Sequence, residues 1–122
     1  MKLRLRADTL RLRLSRTDVA TFRDVGRVEA TTRFPGGASL RYVLERGEGD
    51  RFEARLDGSS VSVRVPRSLA ETWTDSETVG IDGEVRLDDG AALRLLIEKD
   101  FACLTENRPE DRDAYPHPHE SC

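Results

Sequence analysis

No apolar run in this chain approaches the roughly 20 residues that a membrane-spanning helix needs. The first residues are charged and no apolar segment follows them, so no secretory leader is read. Cysteine is scarce: Cys103 and Cys122 are the only two in 122 residues. That excludes a disulfide-stapled scaffold and leaves a reduced, cytoplasmic setting as the expectation. Lysine is nearly missing, with Lys2 and Lys99 against eighteen arginines, a bias that GC-rich coding explains most simply. No glycine-rich phosphate loop is present, because Gly36, Gly37 and Gly58 sit where turns are expected. Aromatics make up 6% of residues, and Phe22 and Trp73 read as core. The formal net charge of −3 argues against a nucleic-acid partner, since phosphate neutralisation needs a cationic surface. No membrane partner is expected either.

What the chain does have is alternation. Apolar residues recur at every second position, the period of a half-buried strand. Leu3 and Leu5, then Leu10, Leu12 and Leu14, predict a hairpin turning near Ala7–Asp8. Ser15 with Asp18 forms a capping-box pattern, and Gly26 ends the run, so a short helix is expected over 16–25. Strands follow at Val28–Phe34, Leu40–Leu44, Phe52–Leu56 and Val61–Val65, separated by Pro35-Gly-Gly37, Gly47–Asp50 and Asp57-Gly58. A second helix is expected over Pro66–Trp73, with Ser68 and Glu71 as its capping box. Val79–Leu87 and Leu93–Ile97 supply the last strands. Leu96 lies on the polar side beside Arg94 and Glu98, which places that strand in the middle of a sheet.

Residues 3–22 align without gaps on residues 54–73, an offset of 51. Arg4/Arg55, Leu5/Leu56, Arg13/Arg64 and Arg16/Arg67 are identical, and Phe22/Trp73 keeps its class. Carried on at the same offset, Val28/Val79, Ala30/Ile81, Tyr42/Leu93 and Leu44/Leu95 stay in phase. The reading is one domain over 1–122, with repeats 2–50 and 51–99, each a hairpin, a helix and two strands. It is mainly β (α+β): an antiparallel sheet of about eight or nine strands, barrel-like because closure removes exposed edges, plus two short helices. Residues 100–122 lose all periodicity and gain prolines. They read as an extended strap, with Phe101, Cys103, Leu104 and Tyr115 as its anchors.

The segments KLRLRADTLRLRLSRTDV (2–19), VSVRVPRSLAETW (61–73), EKDFACL (98–104) and EDRDAYPHPH (110–119) resemble a family of small bacterial proteins of unknown function. That resemblance spans nearly the whole chain and implies no catalytic or binding residue. A fainter likeness is to triphosphate tunnel barrels, whose walls are lined by Arg and Lys. Their opening strand carries metal-holding glutamates, where this chain has Lys2, Arg4 and Arg6.

The chemistry-bearing feature is a cationic face. Lys2, Arg4, Arg6, Arg11 and Arg13 project from one side of the first hairpin, because side chains alternate along a strand. Arg41, Arg55 and Arg64 follow on later strands, interleaved with Glu29, Glu45 and Glu53. Guanidinium forks suit phosphate or carboxylate, so these eight are the candidate anion-binding residues. Charge is also split along the chain: 15 basic against 9 acidic residues over 1–67, and 5 against 14 over 68–122. The acidic half is therefore the favoured partner of the cations. Glu98 and Asp100, two apart, read as a strand end rather than a catalytic pair. Cys103, His117, His119 and Cys122 are zinc-ligand types, but their spacing fits no standard site, so no metal and no cofactor is expected. The functional reading is a non-catalytic binding or structural module with a protein partner or its own copy. The alternative is an anion-binding or phosphohydrolase-like barrel using the arginine face and a small anion.

Overall fold

The computed structural model describes residues 1–101 and 115. Eight strands and two helices follow in the order β1 Lys2–Arg6, β2 Thr9–Leu14, α1 Arg16–Val25, β3 Arg27–Arg33, β4 Ser39–Arg46, β5 Glu53–Asp57, β6 Ser60–Val65, α2 Arg67–Thr74, β7 Gly80–Arg86 and β8 Ala92–Lys99. A short 3-10 turn over Pro35–Gly37 joins β3 to β4. The chain is thus two ββαββ units, as the repeat in the sequence implies.

The strands do not close into a barrel. They form two open, mixed four-stranded sheets, ordered β1-β2-β8-β7 and β3-β4-β6-β5. Each hairpin is antiparallel, but the two central pairings, β2 with β8 and β4 with β6, are parallel. The all-antiparallel, barrel-like expectation is corrected on both counts. Each sheet takes one hairpin from each unit. The four edge strands run away from the helices and the four inner strands run toward them. Parallel central strands need long crossovers, and the helices are part of these: α1 carries the chain from the first sheet to the second, and α2 carries it back.

Local chemistry explains the elements. Ser15 caps α1, accepting from the Asp18 amide at 3.1 Å, while the Asp18 carboxylate accepts from the Ser15 amide at 3.2 Å. Gly26 ends α1 at φ 81°, in the left-handed region. α2 differs from expectation: Pro66 occupies its N-cap without a side-chain hydrogen bond. Glu71 is drawn instead to Arg67, one helical turn back at 2.9 Å, so Ser68 forms no capping box.

The core is one cluster drawn from both sheets and both helices. Leu10, Leu12, Leu14, Leu95, Ile97 and Ile81 come from the first sheet, and Val28, Leu44, Val61, Val63 and Val65 from the second. Phe22 of α1 and Trp73 of α2 meet edge to face at 6.1 Å between ring centres. Phe101 is 56% exposed and Tyr115 97% exposed, so neither of these expected anchors is buried. Cys103 and Leu104, the other expected anchors, lie outside the described residues.

The internal equivalence is sharper than the sequence suggested. β1, β2 and the turn between them map onto β5 and β6 at an offset of 51: Lys2 pairs with Arg13 as Glu53 pairs with Arg64. Beyond the helices the offset becomes 53: Arg27 pairs with Glu45 as Gly80 pairs with Glu98. Two extra residues after α2 account for the change. Val28 therefore corresponds to Ile81 rather than Val79, and Leu44 to Ile97 rather than Leu95.

One turn breaks the equivalence. Gly58 has φ 59°, and its counterpart Ala7 is held at φ 46°. A left-handed alanine costs about 1–2 kcal/mol, partly offset by the greater chain entropy of glycine when unfolded. Ala7→Gly should therefore raise stability by up to about 1 kcal/mol in urea denaturation, with the slope of the transition unchanged.

Candidate functional site

The two sheets divide the eight candidate cations. Lys2, Arg4, Arg6, Arg11 and Arg13 lie on the outer side of the first sheet, opposite to Leu10, Leu12 and Leu14. Arg41, Arg55 and Arg64 belong to β4, β5 and β6 of the second sheet. They share its outer side and not one face with the hairpin. None of the eight lies on an inner side, so they line no tunnel.

On the first sheet the expected pairing of the two halves is present. Lys2 Nζ lies 2.9 Å from Asp100 Oδ2, and Arg11 Nε lies 3.0 Å from Glu98 Oε1. Glu98 and Asp100 thus serve as counter-charges to the opening hairpin. The parallel β2–β8 register brings them there, setting Arg13 opposite Glu98. Arg94 donates to both Asp82 oxygens, at 3.4 and 2.9 Å. Arg11 is only 7% exposed although it points away from the core. Its register neighbour on β8 is Leu96, the apolar residue that marked this strand as central. Arg4, Arg6, Arg11 and Arg94 all make further interactions within the chain.

On the second sheet, one row of alternating charge crosses all four strands: Arg27, Glu45, Arg64, Glu53. The contacts are 3.7 Å from Arg27 to Glu45, 3.2 Å from Arg64 to Glu45 and 3.0 Å from Arg64 to Glu53. These groups are partly to largely exposed, Glu45 the least, so each contact is worth about 0–1 kcal/mol. Their chief effect is to spread charge evenly. Val43, 3% exposed, sits on this outer side as the counterpart of Leu96. Sequence reading missed it, although the apolar triplet Tyr42-Val43-Leu44 matches Leu95-Leu96-Ile97.

Two surface depressions of about 530 and 500 Å³ flank the 47–51 loop. The first is lined by Arg46, Arg51 and Arg64 together with Glu45, Glu48, Asp50 and Glu53. Of the candidate cations it contains Arg64 alone, already shared between Glu45 and Glu53. Neither depression touches β1 or β2. Among the described residues no group of three or more His, Cys, Asp or Glu could hold a metal ion. Cys103, His117, His119 and Cys122 lie outside those residues. No described helix is long and apolar enough to cross a membrane.

Two carboxylates titrate low. Burial pushes Asp18 up, but the N-terminal ammonium at 2.7 Å and the Ser15 amide and hydroxyl outweigh it and hold Asp18 below its ordinary 3.8. The Lys2 ammonium, helped by the Arg13 charge, holds Asp100 below the same value against a smaller burial effect. A carboxylate depressed in the folded state contributes stability above its unfolded pKa, and this is lost as pH falls through the folded one. Stability should therefore stay level from neutral pH down to the carboxylate range and decline below about 3.8. In acid titrations followed by circular dichroism, Asp18→Asn should flatten part of that decline.

The fold and its charged faces define a class: a small α+β protein of two interleaved ββαββ units whose outer surfaces, rather than any interior, carry the ionic groups. Within it, the chain belongs to a family of unknown function (DUF7009), whose model matches residues 1–119. No curated protein matches it, and neither does any solved structure. The likeness to triphosphate tunnel barrels therefore finds no structural counterpart, and the two open sheets do not reproduce a tunnel.

Proposed function

We propose that this chain is a non-catalytic binding module whose partner is a protein strand, engaged along the free edge of β1. One observation carries the reading. Among the described residues β1 has a single strand neighbour, and its Leu5 is 62% exposed at that edge between two cations. An unpaired edge of this kind is a template for a further strand: backbone hydrogen bonds give affinity, and alternate side chains select the partner. The cations favour an acidic partner and steer its approach. The pairing of Lys2 with Asp100 and of Arg11 with Glu98 supports this over a small-anion site, since part of the charge already has counter-charges.

A photo-cross-linking residue at position 5 should give a discrete protein adduct in cells, lost on Arg4→Glu/Arg6→Glu. Calorimetric titration with inorganic phosphate and pyrophosphate should show no saturable heat. Saturable heat that disappears in Arg4→Ser or Arg13→Ser, without an adduct, would overturn the reading in favour of an anion site.

A further inference from the structure

The two ββαββ units share a backbone plan but not their surface charge. β1 presents Lys2, Arg4 and Arg6 on its outer side, a formal +3. Its counterpart β5 presents Glu53, Arg55 and Asp57, a formal −1. Both are edge strands among the described residues, and each exposes a leucine at the same place: Leu5 at 62% and Leu56 at 74%.

Hydrogen-bond parity narrows what can pair with β1. Each of these hairpins turns through two residues, so the residues flanking the turn are a hydrogen-bonded pair and alternate residues follow suit. Arg6 with Thr9, Arg4 with Arg11 and Lys2 with Arg13 direct their backbone groups at β2. The backbone groups of Leu3 and Leu5 are left pointing outward. By the same count β5 points those of Ala54 and Leu56 outward. On the other two edges the parity is reversed. The Phe34 amide donates to Ala38 across the β3–β4 turn, and the Leu87 amide donates to Ala91 across the β7–β8 turn. The outward groups of β3 and β7 then belong to their charged residues. Pairing β1 with either would set leucine against charge on one face.

We infer that the partner of the β1 edge is the β5 edge of a second copy of this chain. The inference rests on the edge-binding reading above and names its occupant. Antiparallel pairing with Leu3 opposite Leu56 and Leu5 opposite Ala54 satisfies the backbone of both edges. It continues the aliphatic side of one sheet into the next and covers both exposed leucines. Lys2, which also holds Asp100, then faces Asp57, and Arg6 faces Glu53, which it shares with Arg64, at the two ends of the contact. Arg4 meets Arg55 in the middle, which keeps the union reversible. A β1–β1 union matches in parity but sets cation against cation throughout. Because each copy offers one edge of each kind, the contact is head-to-tail and propagates into a ring or chain.

Sedimentation velocity on the full chain, across a wide concentration range at low and high salt, tests this. Wild type should grow beyond dimer with concentration and dissociate in high salt. Arg6→Glu alone and Glu53→Arg alone should each weaken association at least about tenfold, with thermal melts close to wild type. Mixing the two variants restores opposite charges at every junction and should restore association. A chain monomeric at all concentrations overturns the inference, as does a salt-insensitive closed dimer indifferent to both variants. A monomeric chain that still gives the position-5 adduct with a different protein removes the second copy and leaves the edge-binding reading standing. A monomer whose only cross-link is to its own residues 102–122, or which forms none, removes both.

Discussion

Trp73→Ala should destabilise this protein by about 3–5 kcal/mol, a large part of the ~5–15 kcal/mol available to a domain of this size. Trp73 is 1% exposed. It packs edge to face on Phe22, and its indole N–H donates to the Val79 carbonyl at 3.0 Å. Lys99 Nζ stands 5.7 Å from the ring centre and donates to the Ser76 carbonyl at 2.7 Å. The substitution removes the ring contact between α1 and α2 and leaves a void in the core. It also removes one of the two donors to the Val79 carbonyl, the Lys99 amide at 2.9 Å being the other. Trp73→Phe keeps most of the packing and should cost only part of this. Urea denaturation measures both. A double-mutant cycle with Phe22→Ala should return a coupling of roughly 0.5–1.5 kcal/mol beyond simple burial. A loss under 1 kcal/mol for Trp73→Ala would mean that the helices do not meet as described.

Leu12→Asp should abolish folding at neutral pH. Leu12 is 1% exposed at the centre of the row Leu3, Leu12, Ile97, Ile81. The nearest cation on that side, Lys99, is held over Trp73 and donates to the Ser76 carbonyl, so a carboxylate at position 12 is buried among aliphatic side chains with no counter-charge in its row. Such a group costs more than most domains can bear unless it takes up a proton. The expected readout is loss of the cooperative unfolding transition and of strand signal in far-ultraviolet circular dichroism. Leu12→Ala should cost about 2–5 kcal/mol and leave the fold in place. Arg4→Asp, the same carboxylate on the outer side of the adjoining strand, should shift stability by no more than about 1 kcal/mol. If Leu12→Asp and Arg4→Asp behave alike, the assignment of sides is wrong.

The alternation in the sequence foretold which side each of these residues takes, because side-chain direction follows from position along a strand alone. It could not say which strands are neighbours. β2 and β8 pair in parallel from opposite ends of the chain, and no local pattern encodes a contact of that range. The barrel expectation failed for this reason. It rested on closure removing exposed edges, whereas two helical crossovers exchange hairpins between sheets and leave each sheet open. The gapless offset of 51 survived inspection because the two extra residues after α2 are an even number, so apolar positions stay in phase even when the wrong pairs are matched. The α2 cap was misread because Glu71 has two suitors, and Arg67 offers it a full charge where Ser68 offers only a backbone amide.

The cationic site was legible as a composition and illegible as a place. Lys2 through Arg13 fall within one hairpin, so alternation alone grouped them. Arg41, Arg55 and Arg64 obey the same alternation, and only the sheet assignments separate them. Two carboxylates of the second half stand against Lys2 and Arg11, but naming Asp100 and Glu98 required the parallel register. Val43 went unread because a strand apolar on both sides looks locally like any buried segment.

The interleaving of the units has a bearing on how the molecule is made. All four strands of the second sheet lie within residues 27–65, so that sheet has everything it needs about midway through synthesis. The first sheet joins the opening hairpin to the final one, and β2 must wait for β8 to leave the ribosome. Until then the leucines of the opening hairpin lack the β8 neighbours that flank them in the finished fold.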